Sequence, residues 1–265
     1  MFKIGWIFIL LLLLNACELV TEIDYAESTS TPYIVINGFM SYENGINVLL
    51  SHSVSVNHQG DNDVVENPNV CLCENGQAIK QLIKTDAYHY ELSKDSVSFN
   101  IGASYSIKVE AKGYETASTR LQEFVAKVLI DTAYIDKDSS YLYYAFHDDP
   151  NIGNYYSAKI KYYANGSTSN YDSTQIVPNY VGSDDNYNGK VLRYTELPYS
   201  VFDSVKIYLY SVSKDYADFM GSYFDYELSY ADYNYETVYP VESQVEYGFG
   251  FFVSYEVSQY VLKIN

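Results

Sequence analysis

Ser104-Tyr105-Ser106-Ile107-Lys108-Val109-Glu110-Ala111 is the stretch whose reading decides the fold. Tyr105, Ile107, Val109 and Ala111 alternate with Ser104, Ser106, Lys108 and Glu110. Successive side chains of a strand point to opposite faces, so this alternation predicts a strand with one buried face. Lys112-Gly113 then turns the chain into a partner strand over 114–121. Working outward, 33–40, 46–56 and 70–73 are further β-rich runs, separated by Gly, Asn, Asp and Pro clusters. Strands at this spacing, with no long helical pattern between them, predict an antiparallel β-sandwich of about a hundred residues over 33–127.

Near residues 122–127 the pattern restarts. Runs at 130–135, 141–146, 155–163, 191–195, 205–212 and 250–264 predict a second sandwich over 128–265. One helix is expected at 214–228, where Tyr216, Phe219, Met220 and Tyr223 recur at helical spacing. Gly221 inside it costs about 1 kcal/mol relative to Ala. The fold class expected is all-β: two consecutive antiparallel sandwiches of the immunoglobulin or fibronectin-III-like kind, with one short helix in the second.

The chain of 265 residues carries 16 Lys+Arg against 34 Asp+Glu, a net charge of -18. Such a polyanion gains nothing from counterion release on a phosphate backbone and is repelled by anionic headgroups, which excludes nucleic acid as a partner. Tyrosine is unusually abundant, with 32 copies against a single Trp. It suits strands, where the ring is buried and the hydroxyl stays wet. Of these tyrosines 25 lie from Tyr134 onward, so the composition changes at the expected boundary between the sandwiches. One reading makes them sandwich-face and interface cover; the other makes them an aromatic platform for sugar rings or a partner's loops.

The amino-terminal stretch has one cation, Lys3, then an uncharged run from Ile4 to Leu14. Eleven residues at about 1.5 Å rise cannot cross a hydrocarbon core of about 30 Å, so this is a signal-peptide core rather than a membrane span. Leu14-Asn15-Ala16-Cys17 resembles the bacterial lipobox. That resemblance implies cleavage of residues 1–16, diacylglyceryl transfer to the Cys17 thiol, and acylation of the new amino terminus with a palmitate-type chain, giving stable anchoring. Residues 17–32, polar and rich in Ser and Thr, read as a flexible tether. Glu18, Glu22 and Asp24 resemble the acidic export signal that sends some Bacteroidetes lipoproteins to the cell surface. Either face of the outer membrane remains open.

The lipobox, Tyr33-Ile34-Val35-Ile36-Asn37-Gly38, Gly102-Ala103-Ser104-Tyr105, Asp149-Pro150-Asn151-Ile152-Gly153-Asn154-Tyr155-Tyr156 and Gly248-Phe249-Gly250-Phe251-Phe252 span nearly the whole chain after the leader. Together they resemble a family of two-domain Bacteroidetes outer-membrane lipoproteins known only as a domain of unknown function, often encoded beside TonB-dependent receptors. The resemblance implies a cell-envelope role and a receptor partner, and supplies no catalytic residue.

Cys71 and Cys73 are the cysteines left after lipidation. Two apart in a strand, their Cα atoms lie about 6.6 Å apart, at the upper edge of disulfide geometry, so a bridge needs a bulge. Free thiols are the alternative. Asp184, Asn186, Asn188 and Gly189 match the first half of a calcium loop, but the closing carboxylate, Glu196, falls one residue late. A solvated turn explains the same residues. His147-Asp148-Asp149, before Pro150, reads as a strand running into a turn. Ser96, Thr132, Ser173 and Ser204 each follow Asp and precede an apolar residue or Thr, resembling a Bacteroidetes O-glycosylation acceptor. Neither G-x-S-x-G nor H-E-x-x-H occurs, and His52, His58, His89 and His147 lie in unrelated contexts. The expectation is therefore a lipid-anchored accessory or binding protein with no enzyme activity and no cofactor. The alternatives are a surface glycan-binding module and a hydrolase with a concealed carboxylate pair.

Overall fold

The structure, a computed structural model, describes residues 32–54, 63–100, 102–136, 138, 140–147, 155–164, 167–168, 190–197, 202–231 and 240–264. The amino-terminal half supplies β1 (Ile34–Ser41), β2 (Gly45–His52), β3 (Asn69–Glu74), β4 (Gln77–Gln81), β5 (Ile83–Lys84), β6 (His89–Leu92), β7 (Ser104–Glu110), β8 (Ala117–Thr119) and β9 (Gln122–Glu123). The rest supplies β10 (Ile130–Asp136), β11 (Tyr141–His147), β12 (Tyr155–Ala164), β13 (Ser167–Thr168), β14 (Lys190–Glu196), β15 (Ser204–Val212), the helix α1 (Lys214–Ala231), β16 (Val245–Glu246) and β17 (Gly248–Lys263). Among the described residues the chain is all-β, its strand pairings antiparallel but for one, with this one α-helix.

The alternation that opened the sequence reading becomes β7, with Tyr105, Ile107 and Val109 fully buried. Tyr105 can be buried whole because its hydroxyl donates to Glu74 Oε1 at 2.8 Å and accepts the Asn100 N–H at 2.7 Å. Ser106, on the face expected to be wet, is buried as well, because β7 is a central strand and Ser106 pairs with Cys73 of β3. The partner expected over 114–121 pairs only along the three residues of β8.

Among the described residues the strands form three sheets. An eight-stranded sheet runs β13-β12-β15-β17-β1-β2-β6-β5, a second runs β16-β8-β7-β3-β4 with β9 beside β7, and a third is β10-β11-β14. Apolar side chains gather in two clusters. The first packs Ile34, Ile36, Val48 and Leu92 against Leu72, Ile107 and Val109 and also takes in Val245 and Phe252. The second packs Leu142 and Phe146 against Ile160, Val205 and Ile207, with Tyr260 and Leu262 beside them. Strand β17 thus contributes to both.

Its first half is held by the one parallel pairing among the described strands, Ile34↔Gly248 through Met40↔Ser254. Two of the stretches quoted for the family resemblance are therefore zipped together in register. The glycines make this contact possible: a Cβ on Gly38 would sit 2.7 Å from the Phe252 ring, and one on Gly250, at φ +106°, would sit 2.0 Å from the Ile36 carbonyl oxygen. Helix α1 extends three residues past the expected end, to Ala231. Ser213 starts it, its carbonyl accepting the Ala217 N–H at 3.2 Å and its hydroxyl the Tyr216 N–H at 3.4 Å. Phe219 packs on Phe251 at 4.3 Å, whereas Tyr223, expected on the same inward stripe, is exposed.

Candidate functional site

Strand β17 is sixteen residues long and changes partners midway. Gly248 to Ser254 pair with β1, and Tyr255 to Lys263 pair with β15. Because β1 stops at Ser41 while β17 runs on, the eight-stranded sheet is stepped beyond the β1–β2 turn. A cleft of about 910 Å3 opens there, lined from β1, β2, β6, β12, β15, β17, the first turn of α1 and the turn at Lys94–Ser96.

The strand period places the lining side chains. Phe39, Asn47, Glu91, Ser157, Lys159, Tyr210 and Tyr255 are outward residues whose chain neighbours point into the cores. Register sets them in two short rows offset along β17: Phe39 is opposite Asn47 and Asn47 opposite Glu91, while Ser157 is opposite Tyr210. The aromatic floor is continuous. Phe39 meets Tyr255 edge-on at 6.0 Å and Tyr216 at 6.4 Å, and Tyr255 lies 6.4 Å from Tyr210.

Polar groups rim this floor. Asn44 Nδ2 donates to the Tyr255 hydroxyl at 3.2 Å, and Asn47 Nδ2 donates to Glu91 Oε1 at 3.0 Å. The turn that carries Glu43 and Asn44 is held by the Ser41 hydroxyl, which accepts both of their N–H groups at 3.1 and 3.4 Å. Beneath it Glu256, 2% exposed, accepts the Tyr42 N–H at 2.5 Å. Burial pushes the Glu256 carboxyl above the ordinary carboxylate range, against the pull of that hydrogen bond and one from Ser41.

Lys127 lies 2.5 Å from Glu43 and holds that carboxyl below its ordinary value by hydrogen bond and charge. With Glu43 so paired, the other charged lining groups are two carboxylates, Glu91 and Asp95, and two amines, Lys94 and Lys159. Burial raises the Tyr210 and Tyr216 phenols above their usual value. They therefore remain protonated at neutral pH and can donate hydrogen bonds.

The residues singled out from the sequence lie elsewhere. Cys17, Ser173, Asp184, Asn186, Asn188, Asp148 and Asp149 fall outside the described residues. Cys71 and Cys73 are free thiols on β3; Cys71 donates to Asn69 Oδ1 at 3.3 Å, and Cys73 is buried. The pairing with β7 runs unbroken through both, and the register shift beside them lies on the β4 side. Ser96 and Thr132 are exposed, whereas Ser204 is half-buried and donates to Asp203 Oδ1 at 2.8 Å. His147 pairs with Asp131 across β10–β11 at 2.5 Å, and His89 with Asp86 at 2.7 Å. Among the described residues no three His, Cys, Asp or Glu side chains converge for a metal, and no helix is long and apolar enough to cross a membrane.

Tyr210, Tyr216 and Tyr255 belong to the tyrosine surplus from Tyr134 onward, but the surplus alone did not single them out. Phe39, Asn44, Asn47, Glu91, Tyr216 and Tyr255 were missed as site residues. For Phe39, Asn47 and Tyr255 the signal was present as an aromatic or amide side chain at an outward strand position, where solvent alone favours charged residues, but alternation does not tell which outward faces adjoin.

Fold and cleft together define an all-β protein that carries an aromatic-floored cleft on the face of a stepped sheet. The chain belongs to the family described as a domain of unknown function, DUF4249, whose profile matches residues 18–260. No curated protein matches it.

Proposed function

We propose that this chain is a lipid-anchored, non-catalytic binding component of a Bacteroidetes outer membrane that acts with a TonB-dependent receptor. The observation that carries the binding role is the cleft. Its volume, about 910 Å3, falls in the range of small-molecule sites, and its walls combine aromatic faces with a few oriented polar groups. Its lining contains neither His nor Cys, and the Glu43 carboxyl is neutralised by Lys127 rather than raised as a general acid requires. Anchoring is supported by Leu14-Asn15-Ala16-Cys17, and the polar tether over 17–32 lets the body stand off the bilayer. The acidic residues after Cys17 favour the outer leaflet's exterior face.

Metabolic labelling with radioactive palmitate tests the anchor: the wild type takes up label and Cys17→Ala does not. Mild detergent extraction followed by pull-down of the lipidated chain tests the partnership. Recovery of a TonB-dependent receptor is expected, and recovery of none overturns the accessory role.

A further inference from the structure

We propose that the cleft binds a neutral oligosaccharide, with sugar faces lying on Phe39 and Tyr255 and hydroxyls bonded by Asn44, Asn47, Glu91 and Asp95. This rests on the reading of the cleft as the chain's binding site and names the chemistry that fits it.

The charge count comes first. The chain is at -18, yet the cleft's free charges balance, two carboxylates against two amines once Glu43 is tied to Lys127. A polyanionic ligand would meet no net positive charge there and would be repelled by the remainder of the protein. A lipid chain or other wholly apolar ligand would strip water from the Asn, Glu and Lys rim without replacing its hydrogen bonds. An extended peptide that adds a strand needs a run of unpaired backbone groups on a sheet edge, whereas Phe39, Asn47 and Tyr210 stand where their strands are bonded on both sides and Tyr255 is bonded to Val212 of β15.

A sugar satisfies all three constraints. The polarised C–H groups on one face of a pyranose are attracted to the negative face of an aromatic ring. Phe39 is 36% exposed, and Tyr255 is half-buried beside it with its own hydroxyl already oriented by Asn44. Sugar hydroxyls donate and accept at once, which suits a rim that mixes amide donors with carboxylate acceptors. Asn47 and Glu91 already hold each other at 3.0 Å, so an adjacent donor and acceptor are set in place before the ligand arrives. The raised phenols of Tyr210 and Tyr216 add donors within the cleft.

Native affinity electrophoresis of the full lipidated protein in detergent, through gels containing starch, xylan, mixed-linkage β-glucan or mannan, with polygalacturonate as the anionic comparison, tests this. At least one neutral polysaccharide should retard the wild type, with little change on adding salt. Tyr255→Ala should weaken that retardation at least ten-fold. Tyr255→Phe, which keeps the ring, should weaken it only a few-fold. Tyr247→Ala, exposed but outside the cleft, should match the wild type. Circular dichroism checks that each variant is folded. Retardation by no neutral polysaccharide, by polygalacturonate alone, or equally for wild type and Tyr255→Ala overturns the proposal. If no polysaccharide binds but receptor recovery is lost in Phe39→Ala and Tyr255→Ala, the sugar is refuted while the cleft's binding role stands. If those variants recover receptor as the wild type does and nothing else binds, both readings fail.

Discussion

Replacing Gly250 by Ala tests the contact on which the fold turns, the parallel zipper between β1 and β17. Gly250 has φ +106°, and an added Cβ would lie 2.0 Å from the Ile36 carbonyl oxygen and 2.9 Å from Asn37 Oδ1. Holding a side-chain-bearing residue at that φ costs about 1–3 kcal/mol. Relieving the clash means moving backbone rather than a side-chain end, and losing one or two ladder hydrogen bonds adds about 1 kcal/mol each. The total is about 2–5 kcal/mol, a large share of the 5–15 kcal/mol typical of a folded domain. Gly38→Ala is the comparison, since its Cβ meets the edge of the Phe252 ring at 2.7 Å, a side chain that can tilt, so overpacking should cost about 1–3 kcal/mol. Urea denaturation followed by circular dichroism should show the midpoint falling in both variants, further for Gly250→Ala, with the slope unchanged. A Gly250→Ala protein within about 1 kcal/mol of wild type, or harmed less than Gly38→Ala, would refute the close approach.

Three further outcomes follow from the same structure. Gly221 lies inside α1, and a Cβ there meets nothing within 4 Å, so Gly221→Ala should stabilise by about 0.4–1 kcal/mol in the same denaturation assay. The Glu256 carboxyl is raised by burial, so the folded chain binds its proton more tightly than the unfolded chain does; the stability this gives is present below the ordinary carboxylate range and lost as pH rises through the raised value. Glu256→Gln should therefore flatten the stability profile across that window, and a profile parallel to wild type would contradict the burial argument. Cys73 is 4% exposed with its thiol pushed up by burial, while Cys71 is half-exposed, so maleimide should label Cys71 first and reach Cys73 only in denaturant; equal labelling rates in the native protein would count against it.

Legibility followed how strongly a segment sits half in a core and half in solvent. β1, β7, β11, β12 and β15 were expected within a few residues because their alternation is strong. β4, Gln77–Gln81, was missed because every residue in it is exposed, leaving no apolar period to detect. The Asn75-Gly76 turn before it, with φ of 49° and 83°, was a hairpin signal that required no burial at all. Helix α1 was expected over 214–228, but its inward stripe was drawn one turn too far: Tyr223 stands at helical spacing from Tyr216 and Phe219 yet is exposed, so spacing alone assigns it a buried face it does not have.

By itself the sequence determined much of the strand content, the one α-helix among the described residues, the net negative charge, and the resemblance at Cys17. All of these rest on composition or on neighbours a few residues apart, where period and local chemistry speak directly. The tertiary structure alone decided that β17 lies parallel to a strand more than two hundred residues earlier, that it changes partners at Ser254, and that the resulting step brings Phe39, Asn47, Tyr210 and Tyr255 into one cleft. Alternation tells which side of its own strand a residue occupies. Which outward faces become neighbours is set by register and by Gly248 and Gly250, small enough to let the β17 backbone meet the carbonyls of Ile34 and Ile36, and neither carries a periodic signature.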